Sequence, residues 1–219
     1  MSLCRLTSHH RKRDYLNHSQ NGFFRERFVD EIAHAAGQDP YQYRRRLLSK
    51  DPVRLAVLDA AAKAAGWDQP PPQGLARGIA LVEAYGSLCA QVVEASVSDK
   101  GQVKVRRVVA ALDTGHLVNP AILQSQVESG IVYGLTAALY GAIMIESGRV
   151  EQGNFDDYEM LRMANMPTVE TVLVPSGGFW GGGEASVPPL APGLCNAIFA
   201  ATSKRIRSLP LKNQDLGRV

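Results

Sequence analysis

Apolar residues first become periodic at Phe23. Phe24, Phe28, Ile32 and Ala35/Ala36 recur at three- and four-residue steps and predict a helix that stops at Gly37. Asp39-Pro40 opens a second helix, with proline at its first position and Tyr43, Leu47 and Leu48 on one face. A third starts at Pro52, carries Leu55, Leu58, Ala62 and Ala65 as its apolar stripe, and stops at Gly66. Residues 1–20 are polar and aperiodic, and are expected to be irregular.

After the Pro-rich connector QPPPQG at 69–74 the period shortens to that of strands. Residues 78–83, 90–98 and 102–112 form β-rich runs, the last two joined as a hairpin through Asp99-Lys100-Gly101. Asn119-Pro120 then caps a helix over about 120–140, striped by Leu123, Val127, Ile131, Leu135 and Leu139. A second hairpin is expected from 141–145 to 150–154, a strand at 169–174, and a last helix at 193–204. The pattern predicts an α+β fold, a helical segment followed by mixed hairpins and helices, rather than a doubly wound sheet. Its expected divisions are an irregular terminus at 1–20, the helical segment at 21–68, the connector at 69–74, a second domain at 75–211 and a tail at 212–219.

Composition narrows the function classes. With 219 residues, 45% hydrophobic and 21% charged, the chain is of globular type and long enough to bury a core. No stretch approaches the roughly 18 consecutive apolar residues of a transmembrane helix. The basic N-terminus has no apolar run behind it, so no secretory signal is expected in it. Cys4, Cys89 and Cys195 form neither a disulfide framework nor a Cys-x-x-Cys pair, so no metal ligands are assigned and a reducing compartment is expected. Residues 1–50 hold ten Lys/Arg against five Asp/Glu, concentrated at His9–Arg13 and Arg44–Arg46. Without interleaved aromatics this basic excess is read as solvated charge, with no nucleic-acid partner.

Two segments carry candidate chemistry. Gly177, Gly178, Gly181, Gly182 and Gly183 lead directly into Glu184 and an apolar, proline-punctuated stretch. Glycines expose main-chain N–H groups to a ligand. A carboxylate at the bottom of a dry site has the raised pKa that a general base near neutral pH needs. A solvated glutamate on a flexible loop is the plainer alternative. The loop is neither a Walker loop nor a dinucleotide fingerprint, because no Lys-Ser/Thr follows and the spacing differs. The second segment is Gln124–Gly130 (QSQVESG), near a helix start. Helix N-terminal amides bind anions, and Gln126 offers a donor and an acceptor to a heterocycle edge. Solvent-facing polar residues are again the alternative, and Cys89 and Cys195 are read as core packing.

Several motifs in order over about residues 19–211 resemble one family: FVDEIAHAAGQDPYQYRRRLL, GIALVEAYGSLCAQVVEASVSDKGQVKVRRVVAALDTGHLVNP, QSQVESGIVYGLTAALYGAI, NFDDYEMLRM and GGGEASVPPLAPGLCNAIFAATSKRIRSLPL. They resemble the C-terminal part of the molybdopterin-binding subunit of the xanthine dehydrogenase / aldehyde oxidase family, nearest the isoquinoline oxidoreductase branch. The resemblance implies a molybdenum centre on molybdopterin cytosine dinucleotide that hydroxylates an aldehyde or N-heterocycle carbon with oxygen from water. Glu184 falls on the family's base. Gly181, Gly182 and Gly183 precede it as cofactor contacts, and Gln126, Ser129 and Gly130 fall on the family's pterin-contacting Gln-x-Glu-Gly-Gly turn. Ser129 replaces a glycine there. Ala185 replaces the family's proline after the glutamate, which predicts a looser loop.

The resemblance also implies partners: the N-terminal portion of the same subunit, a small subunit carrying the iron–sulfur clusters, and a small aldehyde or N-heterocycle substrate. Since family members are several times longer, this chain is expected to hold only part of the cofactor site. The isolated chain is expected to be inactive. The alternative is a non-catalytic truncated or degenerate relative that serves at most as an interaction module. The expected compartment is cytoplasmic, or periplasmic where a full-length chain carries an export signal.

Overall fold

A computed structural model describes residues 18–217. Most of the expected irregular terminus, with the basic cluster His9–Arg13, lies outside the described residues. Helix α1 spans His18–Ala35, so the last residues of that expected irregular stretch are helical. Asp39 and Asp51 cap α2 (Pro40–Leu47) and α3 (Pro52–Ala64), each accepting a first-turn amide with a proline just behind it. Strands β1 (Ala76–Ala84), β2 (Ser87–Val97) and β3 (Val103–Asp113) form an antiparallel meander. Helix α4 (Pro120–Leu139) and the short hairpin β4 (Ile145–Glu146) and β5 (Arg149–Val150) then lead to β6 (Thr168–Leu173), which lies parallel to β3. Helix α5 spans Leu190–Thr202, starting three residues earlier than the sequence pattern predicts. The sheet order is β1-β2-β3-β6, and the fold is α+β.

Both faces of the sheet are covered, so its central strands read as continuous apolar runs. On one face Cys89, Val93, Val108, Ala110 and Leu112 pack with the predicted α4 stripe (Val127, Ile131, Leu135) and with α5 (Leu190, Leu194, Ile198). On the other, Ile79, Ala90, Val92, Val109 and Ala111 meet Val57, Leu58, Ala61 and Ala62 of α3. The two described cysteines are core residues; burial pushes the Cys89 and Cys195 thiols up to about 12 and keeps them neutral.

Helix α1 departs from its sequence pattern. Phe24 and Phe28, the start of the predicted apolar stripe, are 57% and 60% exposed, and the buried face carries Phe23, Glu26, Arg27 and Asp30. Arg44, read as solvated charge, is only 3% exposed. The reason lies at the free edge of the sheet. Among the described residues no strand pairs with the outer side of β1, so its outward backbone groups need other partners. Glu26 Oε2 accepts the Leu81 amide at 3.0 Å, Arg25 donates to the Leu81 carbonyl at 3.3 Å, and Asn196 of α5 donates to the Ile79 carbonyl at 3.1 Å. Arg44 balances the buried carboxylate, donating to Glu26 Oε2 at 3.0 Å and to its carbonyl at 2.8 Å. Arg205 donates to Asp30 at 2.7 Å and ties the C-terminal segment to the same cluster. Each of these edge groups would cost about 1–3 kcal/mol if buried without a partner, so the face of α1 that meets β1 carries polar side chains.

Glu26→Ala leaves the Leu81 amide without its acceptor and takes the nearest carboxylate away from the buried Arg44. It is expected to lower the unfolding free energy by about 3–5 kcal/mol, the typical cost of breaking a buried ion pair from one side. Arg45→Ala, at the half-exposed Arg45–Asp59 pair, is expected to cost less than about 1 kcal/mol. Urea denaturation of the two variants checks the contrast; equal losses would contradict it.

Candidate functional site

The β1–β2 connection is a two-residue turn, Tyr85-Gly86, with φ of +57° and +82°, the conformation that matches the twist of an antiparallel pair. The sequence pattern starts the second strand at Ala90 and misses this hairpin; the Tyr-Gly pair between two apolar runs was the available signal. The turn supports the glycine-rich segment, which crosses from the end of β6. His116 and Trp180 donate their amides to the Gly178 and Thr114 carbonyls at 2.6 and 3.1 Å, tying the segment to the end of β3. The Trp180 indole lies so close on Gly86 that a Cβ there would stand 2.1 Å from the ring. Ser87 Oγ donates to the Gly181 carbonyl at 3.0 Å, and Tyr85 Oη donates to Glu184 Oε2 at 3.2 Å.

The polypeptide then turns inward. Ala185 and Ser186 are buried. Gln91, from the middle of β2, donates to the Ser186 carbonyl at 2.7 Å, while Ser186 Oγ donates to the Val127 carbonyl of α4 at 3.2 Å. The loop is therefore anchored from below at the residue after Ala185. Neither Gln91 nor Ser186 stood out in the sequence, since a polar residue in an apolar strand and a serine after a glycine run have no distinguishing pattern.

Glu184 itself is exposed among the described residues. The glycines before it have no side chains to cover it, and the apolar residues after it point into the core. Gly181 and Gly183 face open space, where an added Cβ would meet nothing within 4 Å. Gly182 faces inward, its Cβ position 2.4 Å from Leu123 of α4. Beside the loop, the His116 ring lies tilted against Phe179 with centroids 5.1 Å apart, and Val118, Ile122 and Phe179 are exposed.

The second candidate segment is arranged differently from its reading as a helix start. Gln124–Gly130 lies beyond the first turn of α4, and the first-turn amide of Ile122 is taken by Asn119 Oδ1 at 3.1 Å. Its amides are thus not the free helix-end donors that an anion would meet. Gln126 and Ser129 are exposed, whereas Gly130 is buried against Ser186, with an added Cβ only 2.0 Å from its hydroxyl. Gly130 therefore joins the two candidate segments by packing. Among the described residues no group of three or more His, Cys, Asp or Glu could hold a metal ion, and no helix is long and apolar enough to cross a membrane.

Comparison with known proteins gives a consistent set of relatives. The molybdopterin cofactor-binding domain matches residues 26–167. The beta subunit of isoquinoline 1-oxidoreductase from Brevundimonas diminuta is 31% identical over 199 residues, covering 89% of this chain and 26% of that protein. A nicotinate dehydrogenase subunit of Pseudomonas putida is 31% identical over 212 residues, covering 87% of this chain and 18% of that protein. The chain thus spans about a quarter or less of the length of these curated relatives. Among solved structures, a Cu,Mo-CO dehydrogenase aligns at TM-score 0.50 and 26% identity, over 53% of this chain and 16% of that one. The aldehyde oxidoreductase of Desulfovibrio desulfuricans shares the fold, with TM-score 0.52 and 22% identity over 57% of this chain and 14% of that one.

The packing at the two kinds of glycine predicts opposite responses to alanine. Gly130→Ala pushes a methyl into Ser186 and is expected to cost about 1–3 kcal/mol, the usual range for overpacking. Gly183→Ala enters open space and is expected to leave stability within about 0.5 kcal/mol. Thermal and urea unfolding of both variants checks this; a destabilised Gly183→Ala beside a neutral Gly130→Ala would contradict the arrangement.

Proposed function

The chain belongs to the molybdopterin cofactor-binding family of the xanthine dehydrogenase and aldehyde oxidoreductase enzymes, and we propose that it forms the C-terminal part of a molybdenum hydroxylase large subunit with Glu184 as general base. The observation that carries this reading is one outward-facing carboxylate, Glu184, at the end of an anchored loop whose Gly181 and Gly183 leave their main chain uncovered. When bound, molybdopterin cytosine dinucleotide with its molybdenum supplies the redox centre for hydroxylating an aldehyde or N-heterocycle carbon with oxygen from water.

The residues present fit such a group. Gly181 and Gly183 are exposed and border open space, and main chain left uncovered in this way suits an anionic, oxo-rich ligand. Gly182 fixes the loop on Leu123 and sets the direction of its neighbours. Gln126 and Ser129, exposed on α4, offer side-chain hydrogen bonds to the cofactor, while Gly130 acts through its packing under Ser186. Glu184 takes the proton that water must lose as its oxygen is transferred. The remaining cofactor contacts and the substrate pocket belong to the rest of the large subunit, and the iron–sulfur clusters to a small partner subunit. The names of the isoquinoline, nicotinate and aldehyde relatives support an N-heterocycle or aldehyde as substrate. The exposure of Glu184 favours an inactive module for this polypeptide by itself, because a base needs a water-excluding site to work efficiently. We place the assembled enzyme in the cytoplasm, or in the periplasm where the full-length chain carries an export signal.

Glu184→Gln keeps the shape and removes the basic oxygen. In the full-length subunit expressed with its iron–sulfur partner, turnover on aldehydes and N-heterocycles is expected to fall at least 10²-fold, in the ~10²–10⁴ range of general bases. Molybdenum content should stay at the wild-type level. A metal-loaded variant within about tenfold of wild type would refute the assignment.

A further inference from the structure

Tyr85 occupies the first position of the β1–β2 turn at φ +57°, a conformation that asparagine or glycine adopts with less strain than a bulky aromatic. The turn alone gives no reason for a phenol there. Its ring meets His18 edge-on, with centroids 4.9 Å apart. Its hydroxyl reaches a residue 99 positions away, donating to Glu184 Oε2 at 3.2 Å. The next two residues grip the same loop: Gly86 lies under the Trp180 indole, and Ser87 Oγ donates to the Gly181 carbonyl at 3.0 Å. Tyr85 is the member of this trio that touches the carboxylate itself.

We propose that Tyr85 is a positioning residue for the base: its hydroxyl holds one oxygen of Glu184, fixing the side-chain rotamer and leaving the other oxygen to accept the proton. The proposal rests on the assignment of Glu184 as base. Its physical basis is that a glutamate behind three glycines and exposed to water samples several rotamers unless something restrains it. Backbone strain tends to be kept where function requires the residue. Trp180 and Ser87 fix the main chain around the glycines, and Tyr85 supplies the restraint on the carboxylate. A proton acceptor out of place by about an ångström can cost up to ~10²-fold in rate.

The test uses the full-length subunit with its iron–sulfur partner, as Tyr85→Phe, Glu184→Gln and the double variant. Phenylalanine keeps the ring on His18 and the turn, and removes only the hydroxyl. Tyr85→Phe is expected to lower kcat roughly ten- to a hundredfold, with KM within about twofold and with molybdenum content and melting temperature unchanged. The double variant should be no slower than Glu184→Gln alone. A readout that needs no turnover comes from enzyme lacking molybdenum: carbodiimide-driven amine labelling of Glu184, followed by mass spectrometry, should be faster in Tyr85→Phe, with the other carboxylates unaffected. Wild-type kcat and labelling in Tyr85→Phe beside an inactive Glu184→Gln would overturn the positioning role and leave the base intact. Lost molybdenum or a lowered melting temperature in Tyr85→Phe would also overturn it, showing a structural residue. A fully active Glu184→Gln would remove the base and, with it, this role for Tyr85.

Discussion

The open edge of strand β1 governs how the rest of the molecule is arranged. An edge strand that is neither paired nor covered invites association and leaves backbone groups wet or unsatisfied. Here the Leu81 amide and carbonyl and the Ile79 carbonyl are each taken by a side chain, from Glu26, Arg25 and Asn196. Those three bonds come from α1 and α5, so sealing the edge docks both helices at once. The buried carboxylate of Glu26 then requires a cation, and Arg44 supplies it from α2. Breaking such a pair from one side leaves an uncompensated charge in a dry environment, so the helical segment cannot shift without exposing β1.

The candidate site is a consequence of that edge. With β1 fixed, its turn at Tyr85-Gly86 presents the surface on which Trp180 and Gly181 rest, and the end of β3 supplies the other support through Thr114 and His116. Beneath the loop, Gln91 and Ser186 extend the anchoring into the core between β2 and α4. What emerges at the surface is a short run of main chain without side chains, ending in one carboxylate. A loop that combines uncovered main chain with a fixed path can offer amides and a carboxylate to a ligand without ordering itself on binding, and this saves binding free energy.

Much of the fold could be read from periodicity because burial dominates where elements face the core. The α4 stripe from Leu123 to Leu139, the apolar runs of β1 to β3 and the Asp-Pro helix starts all follow from local rules. Helix α1 could not be read that way. Its inward face is chosen by hydrogen-bonding demand at a strand edge about 55 residues away, which no window of hydrophobicity contains. Arg44 looks like solvated charge in the sequence for the same reason, since its partners on Glu26 lie 18 positions away and meet it only in three dimensions. At the site, Glu184 and its glycines were conspicuous as composition. Their supports, Tyr85, Ser87, Gln91 and Ser186, are scattered single residues whose roles depend on contacts separated by more than 50 positions. Gly130 belongs to a family motif, but its close approach to Ser186 gives it a packing role that the motif does not express.

Native-state hydrogen exchange at the Leu81 amide tests the sealed edge most directly. On an uncovered edge strand this outward-pointing N–H would exchange through local fluctuations, orders of magnitude faster than the central ladder. With Glu26 Oε2 as its acceptor at 3.0 Å, it should be protected to the same level as the Val92 and Val109 amides of β2 and β3 and exchange only with global unfolding. Rapid exchange at Leu81, with Val92 and Val109 still protected, would show that the Glu26–Arg44 cluster does not close the sheet.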